Sequence, residues 1–337
     1  MSNRNGRMNI SMLDAPGMIL AEMARDVRSG LLSEPKDLSP WPKYFYDAEG
    51  SRIFEEITAT PEYYQTGAEL SILRGASRKT ISRTGCRTLI ELGSGSSSKT
   101  RAILDALVEV DGPARYVPFD VSESALKESG GLLATEYPGL EIQGYVGDFD
   151  KSLGSLLESE ADSGDRLVIF LGGTIGNFSP DKRREFLQNL RKGLSAGDYL
   201  LIGMDLVKDR ETLEAAYDDA AGITARFNKN LLDVLNHRLA ANFDPELFVH
   251  RATYNDTHQR IEMWLDSLVD QTINIPALGL DVSFEEGEGL RTEISAKFHP
   301  GSAAQVFEEA DLELLDLYTD DRDLFGLALA APGGWTA

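Results

Sequence analysis

Between residues 68 and about 206, short apolar runs alternate with amphipathic stretches. That rhythm predicts a parallel sheet with crossover helices. Strands are expected over 89–92, 116–120, 142–147, 166–171 and 199–205, with a helix over 181–192. Upstream, residues 1–15 are polar and read as a loose segment. An amphipathic helix then covers 18–31, with Leu20, Met23, Ala24 and Val27 on one face. Pro35, Pro40 and Pro42 break the chain before a second helix over 50–59. After Asp205 the alternation stops. Residues 211–239 have a helical period, with Tyr217, Thr224 and Phe227 sharing a face, and extended segments follow at 247–254, 260–269 and 290–298. A helix near 303–310 and strands near 314–318 and 325–329 return as an antiparallel hairpin. The pattern therefore predicts an α/β fold with a doubly wound sheet built from 68–206 and 298–337. A second α+β domain is expected from 16–67 and 207–297.

The first strand of the alternation runs into Gly93-Ser94-Gly95-Ser96-Ser97-Ser98-Lys99-Thr100. Glycines there let the backbone turn tightly and approach a nucleotide-like ligand. A dinucleotide fingerprint needs a third glycine where this chain has Ser98, so a nicotinamide cofactor is disfavoured. Glu91, two positions before the first glycine, is placed to receive an ammonium group, which S-adenosylmethionine has and NAD lacks. Asp120 ends the next strand 25 residues after Gly95, where a carboxylate can accept both ribose hydroxyls. Asp148-Phe149 ends the third strand and offers an acceptor and a ring face to an adenine. Each aspartate alone could be a helix cap. Three strand ends in register favour a ligand outside the carboxyl edge of the sheet.

The fourth strand ends in Gly172-Gly173-Thr174-Ile175-Gly176-Asn177, either an ordinary turn or a backbone cradle with Asn177 gripping a carboxylate. Tyr44, Phe45, Tyr46, Tyr63 and Tyr64 form two loop clusters, read either as hinge packing or as an aromatic wall over a site.

Composition narrows the partners. The 337 residues carry 33 Lys plus Arg against 55 Asp plus Glu, a formal charge of −22, which repels phosphate backbones and anionic lipids. Cys86 is the single cysteine, so neither an internal disulfide nor a thiolate cluster can form. His237, His250, His258 and His299 lack metal-ligand spacing, and no metal is expected. With no apolar signal core in residues 1–10 and no membrane-length apolar run, a cytoplasmic protein is expected. Without heptads or a large apolar stripe, it is expected to be a monomer.

The segments Phe45-Tyr46-Asp47-Ala48-Glu49-Gly50-Ser51, Pro61-Glu62-Tyr63-Tyr64, Glu91-Leu92-Gly93-Ser94-Gly95, Thr174-Ile175-Gly176-Asn177, Ile261-Glu262-Met263-Trp264 and Thr292-Glu293-Ile294-Ser295-Ala296-Lys297-Phe298 occur in order across the chain. Together they resemble the histidine-specific α-N-methyltransferases of ergothioneine biosynthesis, over residues 20 to 330. The resemblance implies a class I methyltransferase fold, Rossmann-like, with S-adenosylmethionine as methyl donor. It also implies L-histidine as substrate, trimethylated at its α-amino group to hercynine. Gly93 would approach the methionine part of the donor, Lys99 its carboxylate, Asp120 the ribose, and Asp148 with Phe149 the adenine. Asn177 and Tyr217 would take the substrate carboxylate. Glu293 and Ser295, with Ile294 between them and Tyr63 nearby, would take the imidazole, and Met263 would line the side-chain pocket. Tyr46 and Gly172 would flank the amine, with Tyr46 orienting it or passing its proton, and Tyr46 and Phe45 would shield the product cation. By strand period alone, Glu293 and Ser295 are same-face neighbours that would be placed in solvent. The chain departs from the family pattern at Gly173, where serine is expected, and at Ala296, where cysteine is common. An N-methyltransferase for another amino acid such as tryptophan, or a non-catalytic S-adenosylmethionine sensor, are the alternatives; a nicotinamide oxidoreductase is a distant third.

Overall fold

A computed structural model describes residues 8–13, 16–110 and 112–334, with backbone alone for 16–19, 149 and 150. Its first segment holds β1 (Met8–Met12), α1 (Pro16–Leu31), the two-residue β2 (Lys36–Asp37), α2 (Ala48–Thr58) and α3 (Tyr64–Thr84). Alternation follows as β3 (Thr88–Leu92), α4 (Arg101–Glu109), β4 (Arg115–Asp120), α5 (Glu123–Glu136), β5 (Glu141–Val146), α6 (Phe149–Ser159), β6 (Arg166–Phe170), α7 (Pro180–Gly193) and β7 (Tyr199–Asp205). Then come α8 (Arg210–Ala215), α9 (Ile223–Leu239), β8 (Phe248–Asn255), β9 (Arg260–Ser267), β10 (Gln271–Ile275), β11 (Leu280–Phe284), β12 (Gly289–Ala296), α10 (Pro300–Glu308), β13 (Leu312–Thr319) and β14 (Phe325–Pro332).

Eight strands form one sheet in the order β1-β5-β4-β3-β6-β7-β14-β13, in which β14 alone runs against the others. Strands β3, β6, β7 and β14 are buried along their whole length, which is why they read as continuous apolar runs rather than alternating ones. The order reverses at β3, between β4 and β6, and opens a crevice at the carboxyl ends of these strands. This is the class I methyltransferase topology, closed by the predicted antiparallel hairpin.

A second sheet, β2-β12-β9-β8, packs its apolar face on α9 and the aromatic core around Phe45, Phe227 and Phe248. Its strand β12 lies between β2 and β9 and carries a bulge between Arg291 and Glu293.

Three expectations need correction. Residues 8–12 are a strand paired in parallel with β5, not loose chain. Met8 and Ile10 are half-buried, and Gly130 leaves no room for a Cβ beside the Met8 side chain; five residues of weak alternation hid this. The single helical stretch over 211–239 is two helices, parted where Gly222 takes a φ of +71°. The hairpin β10–β11, turning through Pro276 and Gly279, was not anticipated.

The two sheets are joined where β7 and β12 end. Leu206 bridges Phe298 in parallel, with the Phe298 amide donating to the Asp205 carbonyl at 2.9 Å and the Val207 amide to the Phe298 carbonyl at 3.0 Å. The turn Thr174–Asn177 presses against the same strand end, and a Cβ on Gly176 would lie 2.8 Å from the Ala296 carbonyl oxygen. Gly176→Ala is expected to lower unfolding stability by about 1–3 kcal/mol through overpacking, read as a lower urea midpoint with an unchanged slope.

Candidate active site

Between the sheets lies a cleft of about 830 Å³ whose lining runs from the glycine turn after β3 to Glu293 and Ser295 on β12. That volume is in the range of sites that enclose a cofactor with a small partner.

At the end nearer the sheet, Gly93 and Gly95 adopt φ values of +70° and +47°, a conformation that side chains resist. The Gly93 amide donates to the Phe119 carbonyl at 2.8 Å, and the Gly95 amide to Asp120 Oδ2 at 2.9 Å. The cap of α5 is Ser122, not Asp120. Asp120 instead ties the glycine turn to β4 while facing the cleft, and burial raises its carboxyl above the usual range. Glu91 accepts from Thr100 at 2.7 Å and from the Tyr116 hydroxyl, and burial pushes it up to about 7. Lys99 is ion-paired with the buried Glu69, which also accepts the Gly172 amide at 2.8 and 3.0 Å. One carboxylate thus ties the expected cofactor lysine to the expected amine-flanking glycine. Asp148 lines the cleft and pairs with Lys43 of the loop before α2. Phe149 begins α6, and its side chain lies outside the described residues. These residues fit S-adenosylmethionine: a strained glycine turn, a lysine, and two carboxylates along a cleft with room for an adenosyl group.

At the other end, Glu293 and Ser295 are buried rather than solvent-facing, because β12 is an inner strand whose face forms the cleft wall. Among the described residues no group hydrogen-bonds to the Glu293 carboxylate. Burial pushes it up to about 7, opposed by the nearby Lys297 ammonium. Ser295 Oγ, in contrast, accepts from the Tyr217 hydroxyl at 2.8 Å and from Lys297 Nζ at 2.9 Å. Tyr217 in turn accepts from Gln65 Nε2 at 2.9 Å and Lys297 Nζ at 3.1 Å. Its own proton is therefore given to Ser295, and a substrate carboxylate at Tyr217 would compete with Ser295 for it. Asn177, Gly172, Met263, Tyr46 and Tyr63 all line the cleft. Ile294 is buried but not part of the lining, as expected for the residue between two that face it.

The aromatic clusters divide. Tyr46 packs edge-on against Phe54 and Phe227, and Phe54 against Tyr63, making one wall of the cleft. Burial and the Glu293 charge hold the Tyr46 phenol well above its usual range. Phe45 does not line the cleft; it stacks behind Phe227 at 4.8 Å between ring centres. Tyr44 is taken by Asp26 and Tyr64 by Asp205. Residues not anticipated are Phe54, Phe227, Thr224 and Gln65 in the lining, and the buried cluster of Asp205, Lys208 and Lys297 beneath it. The alternation Glu293, Ser295, Lys297 was the available signal for the last of these. Among the described residues no group of three His, Cys, Asp or Glu is placed to hold a metal ion, and no helix is long and apolar enough to cross a membrane.

The unpaired Glu293 carboxylate has a measurable consequence. The unfolded chain releases this proton near 4.5 and the folded one near 7, so its contribution to stability is full below about pH 4.5 and lost as pH rises through about 7. Glu293→Gln is expected to stabilise the unligated protein at about pH 8 by roughly 3 kcal/mol relative to the parent, with the gain absent at about pH 4. Thermal or urea unfolding of both proteins across that range checks it.

A family described as "Histidine-specific methyltransferase, SAM-dependent" matches residues 23–332. A histidine N-alpha-methyltransferase of Mycolicibacterium smegmatis is 47% identical over 308 residues, covering 91% of this chain and 94% of that protein. One of Mycobacterium tuberculosis is 44% identical over 326 residues, covering 96% and 100%. An L-tryptophan methyltransferase of Psilocybe serbica is 29% identical over 322 residues, covering 88% and 89%. With the topology, the glycine turn and a match spanning nearly every element of both sheets, the chain belongs to the S-adenosylmethionine-dependent, histidine-specific methyltransferase family.

Proposed function

We propose that this chain transfers three methyl groups in succession from S-adenosylmethionine to the α-amino group of L-histidine, giving hercynine, the first step of ergothioneine biosynthesis. The observation that carries the reading is the pair at the far end of the cleft: an unpartnered carboxylate, Glu293, beside a hydroxyl, Ser295, whose acceptor capacity is already used. A neutral imidazole offers one N–H and one bare nitrogen, the complement of that pair. An indole leaves at least one of them without a partner, which is costly when buried.

Gly93, Lys99, Asp120 and Asp148 are the residues that would hold the methyl donor, which supplies a sulfonium methyl group. On the chain's side the task is positioning. Gly172 and Tyr46 line the cleft between the glycine turn and β12, where the α-amine would sit, and Asn177, whose side chain has no hydrogen bond among the described residues, would take its carboxylate. In each transfer the amine lone pair forms the new N–C bond as the C–S bond breaks, and the amine must first lose its proton. Because the Tyr46 phenol stays protonated at neutral pH, it acts as a hydrogen-bonding guide or relay rather than as a standing base. After the third transfer the nitrogen carries a fixed positive charge, and the faces of Tyr46, Phe54 and Phe227 suit it.

The same reading assigns cofactor holding to 68–206 and 298–337 and substrate recognition to 16–67 and 207–297. The acidic surface and single cysteine fit a cytoplasmic monomer.

Mass spectrometry of reactions containing S-adenosylmethionine and an equimolar amino-acid mixture is expected to show trimethylated histidine alone; a methylated indole amino acid in its place would transfer the activity to the tryptophan class. Tyr46→Phe is expected to lower kcat about 10²-fold with little change in cofactor affinity, and an unchanged kcat would remove Tyr46 from the chemistry.

A further inference from the structure

Beneath the imidazole end of the cleft, Lys297 is 3% exposed and uses all three of its ammonium protons: on Asp205 at 2.6 Å, Ser295 at 2.9 Å and Tyr217 at 3.1 Å. The direction of every proton in this chain of bonds is forced. Tyr217 accepts from Gln65 and Lys297, so it can only donate, and it donates to Ser295. Ser295 accepts from Tyr217 and Lys297, which fills both lone pairs of its oxygen. Its single proton has no acceptor among the described residues, and the side chain lines the cleft.

We propose that Lys297 is a positioning residue that makes Ser295 an obligate hydrogen-bond donor, so that the subsite formed with Glu293 binds the neutral substrate ring in one tautomer and rejects its protonated form. The proposal rests on the histidine reading above and goes beyond it, because a serine hydroxyl alone is neutral to direction: it donates or accepts as its neighbours allow. With Lys297 in place, Glu293 and Ser295 present one acceptor and one donor, beside the unpartnered Thr224 hydroxyl in the same lining. A neutral imidazole satisfies both with its N–H and its bare nitrogen. An imidazolium brings two N–H groups, one of which meets the Ser295 proton with the Lys297 charge behind it.

Other charged groups face this point. Glu293 shares the strand, Asp205 and Lys208 come from the end of β7 and the segment after it, and Tyr63 and Tyr64 come from the start of α3. Tyr46 faces Glu293 from the loop before α2. Ligand-side controls therefore carry the test. Histidine and 1,2,4-triazolylalanine share the α-amine and carboxylate, but the triazole ring stays neutral in mild acid.

In the parent protein, kcat/KM for histidine is expected to fall more steeply than that for triazolylalanine as the pH drops below the ordinary imidazole value of about 6.5, because amine and Glu293 protonation act on both substrates and ring protonation on histidine alone. In Lys297→Met the Ser295 hydroxyl is free to turn. KM for histidine at about pH 7.5 is expected to rise about tenfold with kcat changed less, and the acid limb to flatten. Ser295→Ala is expected to abolish the further effect of Lys297→Met, since the lysine acts through the serine. Cofactor affinity by calorimetry and the urea midpoint report whether the variant is folded, and the parent's two-substrate comparison stands if it is not. Identical acid limbs for the two substrates, or a Lys297→Met effect equally large without the Ser295 hydroxyl, would overturn the inference. A parent that methylates no histidine at any pH would overturn the function beneath it.

Discussion

The ion pair between Asp205 and Lys297 is the contact on which the rest of the molecule depends. Asp205 is the last residue of β7 and Lys297 the first after β12, so the pair ties the two sheets at the floor of the cleft. Taking such charges out of water costs several kcal/mol for each ion unless every lone pair and proton finds a partner. Here they do: Asp205 accepts from Tyr64, Gln65, Lys208 and Lys297, and its carboxyl is held below the usual range by the two ammonium groups. Lys208, the second cation, is pushed down to about 8 by burial against that attraction. Two cations around one anion leave a positive remainder under the end of the cleft that Ser295 lines.

That knot also explains why the substrate end of the cleft is polar without being saturated. Among the described residues its hydrogen bonds run outward from Asp205 and stop at Ser295, whose proton is left over, beside Glu293, whose oxygens have no partner. Buried groups left open in this way cost the empty protein stability. On the function proposed above, a matching ring restores it, and a ligand lacking either group leaves the cost in place. At the other end, Glu69 plays a comparable part, tying Lys99 and the Gly172 amide to one carboxylate so that the helix after the first glycine turn and the turn after β6 keep a fixed spacing.

Much of this was legible in the chain. Strands β3 to β7 of the large sheet are apolar runs between covering helices, so their positions were read to within a residue. The glycine turn and the carboxylates at 120 and 148 were found from spacing, because positive-φ turns and strand ends have local signatures. The burial of Glu293 and Ser295 was not local information: as a strand pattern they pointed to solvent, and only the resemblance set them at a binding site. The Asp205 knot was missed for the same reason. Tyr64 reaches Asp205 across 141 residues of sequence, and periodicity reports one element at a time. Strand β1, the split between α8 and α9, and the β10–β11 hairpin escaped because each is too short or too polar to dominate a window.

NMR of histidine labelled at both imidazole nitrogens observes the protonation of the bound ring directly in the complex with S-adenosylhomocysteine. The structure predicts one protonated and one bare nitrogen in a single tautomer, held at pH values where free histidine has become imidazolium. Two protonated nitrogens in the bound ring would contradict it, and would mean that Ser295 accepts from the substrate rather than donating to it.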